Sequence, residues 1–345
     1  MQLPREVVVG SGVLKLIGEM CLGLGLAGSA LIVAGSKTFK VAGGEAADSL
    51  RASGLSVDSI IVNNSTMESV RLVEDKIRDA KPSIVLGVGG GKDIDVAKLA
   101  SANRKTQFMS VPTAASHDGI ASPYTSIKGF DRPYSMKAQA PIAIVADVDV
   151  IARSPSRLFA SGCGDIVSKY TAVRDWKLAH RRVGEYYGSY AANLALMSAR
   201  LVMKDAGSIG VRAREGIHTV VEALISCGVS MSIAGSTRPC SGAEHLFSHA
   251  VDLLAPNSAL HGEQCGVGAV MCAYMHGANW KIVRDVLKAV GAPTKAKQLG
   301  LSRDQVVEAL LMAGSIRPER YTILSEMKLT DVKARRVARV TGVVD

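Results

Sequence analysis

Aromatic residues are scarce, with Trp, Tyr and Phe together making up 4% of the 345 residues. A chain so poor in flat rings offers no stacking platform for single-stranded nucleic acid. The cysteines Cys21, Cys163, Cys227, Cys240, Cys265 and Cys272 never form C-x-x-C and sit in small or apolar company, which suits reduced thiols rather than a disulfide framework. The most apolar stretch, 20–35, falls short of a membrane span; it is interrupted by Gly23, Gly25 and Gly28 and reads as a helix end, a turn and a strand, so no stable membrane insertion is expected. No signal-peptide core follows Met1-Gln-Leu-Pro-Arg5, and a cytoplasmic location is the expectation. Three catalytic signatures are also missing. Lys92 is followed by Asp93 where a Walker A needs a hydroxyl, there is no G-x-S-x-G elbow, and no glutamate stands where an H-E-x-x-H hydrolase needs its base.

What is present is ordinary globular composition, with 48% hydrophobic and 21% charged residues, in a length that favours two domains with a cleft between them. The net charge of +10 is spread along the whole chain. Nucleic-acid binding by counterion release needs a concentrated basic surface, so an anionic small molecule fits better and no nucleic acid is expected. The run Arg335-Arg336-Val-Ala-Arg339 reads as a solvated helix face.

The organising stretch is Ser83-Ile-Val-Leu-Gly-Val-Gly-Gly-Gly-Lys-Asp-Ile-Asp-Val-Ala-Lys98. A short apolar run after Pro82 breaks at Gly89, Gly90 and Gly91 and resumes with helical spacing. Such a turn presents bare N–H groups at a helix N-terminus, where the dipole favours an anion, most often a phosphate; the plain alternative is a glycine turn with no ligand. By contrast Gly23-Leu-Gly25-Leu-Ala-Gly28 matches G-x-G-x-x-G by letter but precedes a strand instead of following one, and is rejected as a dinucleotide fingerprint.

Strand and helix alternate through 148: strands at 5–9, 30–34, 59–62, 84–89, 108–111 and 140–148, helices between. That is the pattern of a parallel sheet covered on both faces. After strand 30–34 no acid is present to grip the ribose hydroxyls of NAD, and Ser36 and Lys37 stand there instead. NADP is therefore expected to be tolerated, unless this is only a surface turn with an incidental lysine. The polar segment 112–119 is a candidate wall of the site. Beyond 152 strands cease and helical patterns run at 166–179, 191–204, 211–225, 243–254 and 266–280. The expected division is an α/β dinucleotide-binding domain, 1–152, and an all-helical metal- and substrate-binding domain, 153–345.

Glu244-His245-Leu-Phe-Ser-His249 places two imidazoles four apart on one helix face, a spacing able to chelate one metal. His261 follows in Leu260-His-Gly-Glu-Gln264. Asp165 closes Ser161-Gly-Cys-Gly-Asp165, read as a flexible loop entering a helix, where a carboxylate either ligates a metal or caps the helix.

Taken in order, Gly89-Gly-Gly91-Lys-Asp-Ile-Asp95-x-x-Lys98, Pro112-Thr-x-x-Ser116-x-Asp118-Gly, Gly164-Asp165, Glu244-His245-x-x-x-His249 and His261-Gly-Glu263 resemble the sn-glycerol-1-phosphate dehydrogenases. These form the archaeal branch of a group that includes glycerol dehydrogenase, iron-containing alcohol dehydrogenases and dehydroquinate synthase. The resemblance covers nearly the whole chain. It implies a dehydroquinate synthase-like fold, an α/β N-terminal domain with a Rossmann-like parallel sheet and an all-α C-terminal domain. The implied reaction is zinc-dependent reduction of dihydroxyacetone phosphate to sn-glycerol 1-phosphate by NADPH or NADH, for archaeal ether-lipid synthesis. By the same resemblance Gly91, Lys92, Asp93, Ile94, Asp95, Thr113, Ala114, Ala115, Ser116 and Ser122 would hold the nicotinamide cofactor. Asp165, His245 and His261 would hold zinc, in place of the His245/His249 pair that spacing suggests. Asp118, Asp165 and His249 would meet substrate, with Asp118 and His249 catalytic. A homo-oligomer is expected. The competing readings are glycerol dehydrogenase acting on unphosphorylated glycerol, dehydroquinate synthase, and a non-catalytic nucleotide or nucleic-acid binder.

Overall fold

The computed structural model describes residues 1–127 and 135–345. The chain divides into two compact units, Met1–Pro155 and Ser156–Asp345.

The first unit is built on six parallel strands in the order β1-β8-β5-β4-β2-β3. These are β1 Glu6–Gly10, β2 Ser29–Ala34, β3 Ser56–Ile61, β4 Ile84–Gly89, β5 Gln107–Pro112 and β8 Ala143–Asp147. A two-stranded antiparallel hairpin, β6 Tyr124–Ser126 and β7 Ser135–Lys137, stands apart from the sheet. The inner strands β4 and β8 are buried at every residue, as parallel strands covered on both faces must be, which is why their sequences read as continuous apolar runs. Edge strand β3 alternates with exposed polar residues, and its start lies three residues before the position expected from its apolar end. Ile32, Leu86, Met109 and Val145 from the central strands join Leu14, Ile17 and Leu50 from flanking helices in one apolar core. The rejected glycine fingerprint lies where helix Ile17–Gly23 ends and the chain turns into β2, away from any strand-to-helix turn.

Strand order fixes where a ligand belongs. The chain passes from β2 outward to β3, returns, and passes from β4 outward the other way to β5, so the direction reverses between the neighbours β2 and β4. In open α/β sheets the crevice beyond the carboxyl ends at such a reversal is the ligand site.

The second unit is all helical among the described residues, with long helices Ser156–Val183, Ser189–Lys204, Arg214–Ala234, Ala243–Leu254, His261–Met275 and Arg303–Ile316. Helix Arg214–Ala234 is long and apolar enough to cross a membrane by composition, yet 61% of its most apolar window is buried inside the structure. Helix Ser156–Val183 corrects the sequence reading of Asp165. The residues expected to form a glycine-flexed loop are helical from Ser156 onward, so Asp165 lies mid-helix and caps nothing. Gly164 serves a different purpose. A methyl group on Gly164 would fall 2.3 Å from the Gly262 carbonyl oxygen, and one on Gly262 would fall 1.9 Å from the Ser161 carbonyl oxygen. Helices Ser156–Val183 and His261–Met275 therefore cross with their backbones in contact, and only glycine permits this approach.

Candidate active site

In the first unit the reversal crevice is bordered by Gly35-Ser36-Lys37 after β2 and Gly89-Gly90-Gly91-Lys92 after β4. Helix Gly91–Asn103 begins at the glycine turn, with Gly90 in extended conformation as its N-cap and no side chain covering its first N–H groups. Gly91 has no room for a side chain, because a methyl there would lie 1.7 Å from His117 Nε2. Lys92 is exposed and donates to the Asn63 carbonyl at 3.1 Å. Asp93, Ile94 and Asp95 are buried beneath the turn. Asp93 Oδ2 accepts from Thr38 Oγ1 at 3.2 Å, tying the two sides of the crevice together, and burial raises its carboxyl against the opposing pull of Lys92 and Thr38. Ser36 and Lys37 are exposed at the crevice rim.

The loop after β5 carries Thr113, Ala114, Ala115 and Ser116, all buried, with the Thr113 N–H donating to the Gly89 carbonyl at 2.9 Å. Lys98, with no exposed surface, clamps the following segment: its Nζ donates to Asp95 Oδ1 at 3.2 Å, to the Gly119 carbonyl at 2.7 Å and to the Tyr124 carbonyl at 2.9 Å. Asp95 Oδ2 accepts from the Ser126 N–H at 2.9 Å. Asp118 opens the short turn Asp118–Ile120 within this clamped segment, and Ser122 is buried with its Oγ accepting from the Tyr124 N–H at 3.0 Å.

In the second unit, one ligand atom each from Asp165, His245, His261 and Cys265 lie within 4.8 Å of one another. Helix Ser156–Val183 supplies the carboxylate, helix Ala243–Leu254 supplies His245, and helix His261–Met275 supplies the remaining two. Both imidazoles are oriented from behind. His245 Nδ1 lies 2.9 Å from Glu244 Oε1, and His261 Nδ1 lies 3.2 Å from Ser248 Oγ. Their Nε2 atoms then face the cluster, at 3.6 Å from Asp165 Oδ1 for His245 and 3.6 Å from Cys265 Sγ for His261. Outer partners that fix the tautomer in this way are what metal-bound histidines require. A carboxylate, two backed imidazoles and a thiol converging within 4.8 Å, His261 partly exposed and the other three buried, fit a divalent transition metal.

The charges agree with that donor set. Burial disfavours the charged form of Asp165, but Lys169, whose Nζ donates to Oδ1 at 2.5 Å, outweighs it with the two imidazoles and holds the carboxyl well below its ordinary range. Burial likewise raises the Cys265 thiol, yet His245 and His261 bring it down to about 7. His249 lies one helical turn from His245 and outside the four-residue cluster, its ring centre 6.3 Å from that of His261. Burial, aided by the neighbouring positive groups, pushes His249 well below the usual imidazole range, so it is neutral. Its Nδ1 is buried without a hydrogen-bond partner.

Lys169, Ser248 and Cys265 were not picked out as site residues from the sequence, and Glu244 stood there only as a motif residue without a role. Lys169 and Cys265 each stand four residues after a candidate ligand, Asp165 and His261, so helical spacing applied to those two helices is the signal that finds them.

A family profile described as iron-containing alcohol dehydrogenase matches residues 8–155. Over 344 residues the chain is 49% identical to the glycerol-1-phosphate dehydrogenase (NAD(P)+) of Methanothermobacter thermautotrophicus, covering 100% of this chain and 99% of the relative. Over 349 residues it is 52% identical to the protein of the same name from Aeropyrum pernix, covering 100% and 98%. Among solved structures, glycerol dehydrogenase from Schizosaccharomyces pombe aligns with a TM-score of 0.79 at 20% identity, over 99% of this chain and 90% of that one, a likeness of fold alone. With half its residues identical over the full length of such relatives, the chain belongs to the glycerol-1-phosphate dehydrogenase family, a family of oxidoreductases in the iron-containing alcohol dehydrogenase group.

Proposed function

We propose that this chain reduces dihydroxyacetone phosphate to sn-glycerol 1-phosphate, with NADPH or NADH as hydride donor and zinc as resident metal, in the cytoplasm and for ether-lipid synthesis. Family membership supports the reaction and the NAD(P) dependence. The observation that carries the metal is the convergence of the buried Asp165 and His245 with the partly exposed His261, both imidazoles backed by hydrogen-bond partners.

A zinc ion bound there would polarise the substrate's ketone oxygen and offset the negative charge that develops as hydride is added. The chain's own residues prepare the rest. The uncovered N–H groups after Gly90 suit the cofactor diphosphate, with Gly91 and Lys92 at the surface and Asp93, Ile94 and Asp95 supporting the turn from beneath. Thr113, Ala114, Ala115, Ser116 and Ser122 would line the same cofactor site. Lys37, exposed beside it, suits the additional phosphate of NADP. Lys169 keeps Asp165 ionised, and Glu244 and Ser248 hold the imidazole planes. His249, neutral and with an unpartnered buried nitrogen, is suited to hold a substrate hydroxyl and pass a proton; Asp118 is assigned the companion role.

Turnover of dihydroxyacetone phosphate, with chiral analysis of the product and with metal removed and restored, tests this reading. The expected product is sn-glycerol 1-phosphate, formed only with metal. Equal efficiency on unphosphorylated glycerol and on glycerol 1-phosphate would transfer the assignment to glycerol dehydrogenase. For His249→Ala, bound metal is expected to stay stoichiometric while kcat falls about 10²- to 10⁴-fold. Metal analysis beside steady-state kinetics checks this, and loss of metal would place His249 among the ligands.

A further inference from the structure

We propose that Arg320 holds the phosphate of the substrate and so selects dihydroxyacetone phosphate over unphosphorylated dihydroxyacetone. This rests on the reaction proposed above, whose substrate carries a doubly negative group that no residue named so far would meet.

Four lysine and arginine side chains are buried among the described residues: Lys98, Lys169, Arg238 and Arg320. Three of them have a carboxylate within hydrogen-bond distance, Asp95 for Lys98, Asp165 for Lys169 and Glu185 for Arg238. Arg320, only 8% exposed, has none among the described residues. Its guanidinium donates to neutral oxygens, from Nη1 to the Ser241 carbonyl and from Nη2 to Thr237 Oγ1, both at 2.6 Å. Two of its five N–H groups are thereby used, on the segment that leads into helix Ala243–Leu254. Burial, Arg317 and Arg238 all oppose its charge and bring it down to about 9, so it is still protonated at neutral pH. Glu185 and Glu244 favour the charge but are occupied, Glu185 by Arg238, and Glu244 by His245, Thr171 and the Gly242 N–H. Buried charges are paired as a rule, and here an anionic ligand is the partner that the chain itself does not supply.

The position suits the substrate. His249, on helix Ala243–Leu254 and also 8% exposed, has a buried Nδ1 with no partner. Arg317 and Arg320 are both near enough to act on it, since after burial and the two neighbouring imidazoles their charges help to hold that ring neutral. Arg317 opens the segment that carries Arg320, directly after helix Arg303–Ile316, and its Nε donates to Glu319 Oε1 at 2.9 Å. A phosphate taken up by the remaining N–H groups of Arg320 would place its negative charge beside two guanidiniums, in the planar geometry that suits bidentate recognition. His245 stands one turn before His249 on the same helix, so the phosphate and the ketone of one small substrate would meet neighbouring stretches of that helix.

The test compares dihydroxyacetone phosphate and dihydroxyacetone as substrates of the full-length, zinc-loaded enzyme with NADPH. In Arg320→Gln the preference for the phosphorylated ketone, taken as the ratio of the two kcat/KM values, is expected to fall about 30-fold or more, chiefly through KM for dihydroxyacetone phosphate. Arg320→Lys keeps a charge without the planar fork and should recover part of that preference. Inorganic phosphate should inhibit the wild type in competition with dihydroxyacetone phosphate, and its inhibition constant should rise about tenfold or more in Arg320→Gln. An unchanged ratio, or an equal loss on both substrates, overturns the inference and leaves the reaction standing. A wild type that turns over both ketones equally well overturns the reaction and the inference together. If Arg320→Gln does not fold, Arg320→Lys decides by the same ratio: a fall supports the assignment, and no change overturns it.

Discussion

Asp165→Asn is expected to lose bound zinc and to lower turnover about 10³-fold or more. The amide removes the anionic donor from the cluster and also takes the carboxylate from Lys169, a lysine with no exposed surface whose Nζ donates to Asp165 Oδ1 at 2.5 Å. Breaking a buried ion pair by removing one charge is destabilising, by up to about 3–5 kcal/mol, so part of the loss will be structural. His261→Ala separates the two effects. His261 comes from a different helix and has Ser248 rather than a buried cation behind it, so its removal should expel metal with a smaller fall in stability. Metal analysis, steady-state kinetics and thermal unfolding on both variants are the measurements. Stoichiometric zinc retained in both would defeat the ligand set.

Gly262→Ala should be as damaging although the residue carries no chemistry. The added methyl would meet the Ser161 carbonyl oxygen at 1.9 Å and its carbon at 2.7 Å. These are backbone atoms of a long helix and cannot rotate aside, so helices Ser156–Val183 and His261–Met275 must part. Overpacking of a close-packed interior costs about 1–3 kcal/mol and sometimes more, and a clash with backbone belongs at the upper end. At about 3 kcal/mol, a unit of this size should melt about 6–12 °C lower. Metal affinity should fall as well, because Asp165 follows Gly164 and His261 precedes Gly262 in the same crossing. Gly207→Ala is the control, since a methyl there meets nothing within 4 Å. Calorimetry with a zinc titration checks both variants, and an unchanged melting temperature in Gly262→Ala would show that the crossing has more slack than the backbone contact implies.

The glycines also mark what the sequence could and could not disclose. At Gly89, Gly90 and Gly91 the glycines stand between a buried apolar run and a helical one, and local chemistry alone predicts the strand, turn and helix found there. At Gly162 and Gly164 the same residue type suggested a loop, whereas both lie inside a helix. The difference is tertiary: at Gly164 glycine is needed because the backbone of Gly262 passes close by, and nothing in the neighbouring residues announces it. The hairpin of β6 and β7 was missed because three-residue strands are too short to show a period. The fold class was legible because buried parallel strands carry continuous apolar runs. At the Asp165, His245 and His261 cluster, the family resemblance named these three residues where spacing suggested His245 and His249, while their supports were hidden. Glu244 beside His245 and Lys169 one turn from Asp165 read as ordinary helix residues until folding buries them against the donors.

The central claim is that one ion is held by a carboxylate and two imidazoles from three helices. Anomalous diffraction at the zinc edge, from crystals of the full-length protein grown with zinc, tests it most directly. The account predicts a single strong peak within bonding distance of Asp165, His245 and His261. A peak elsewhere, or none at that cluster, would contradict it.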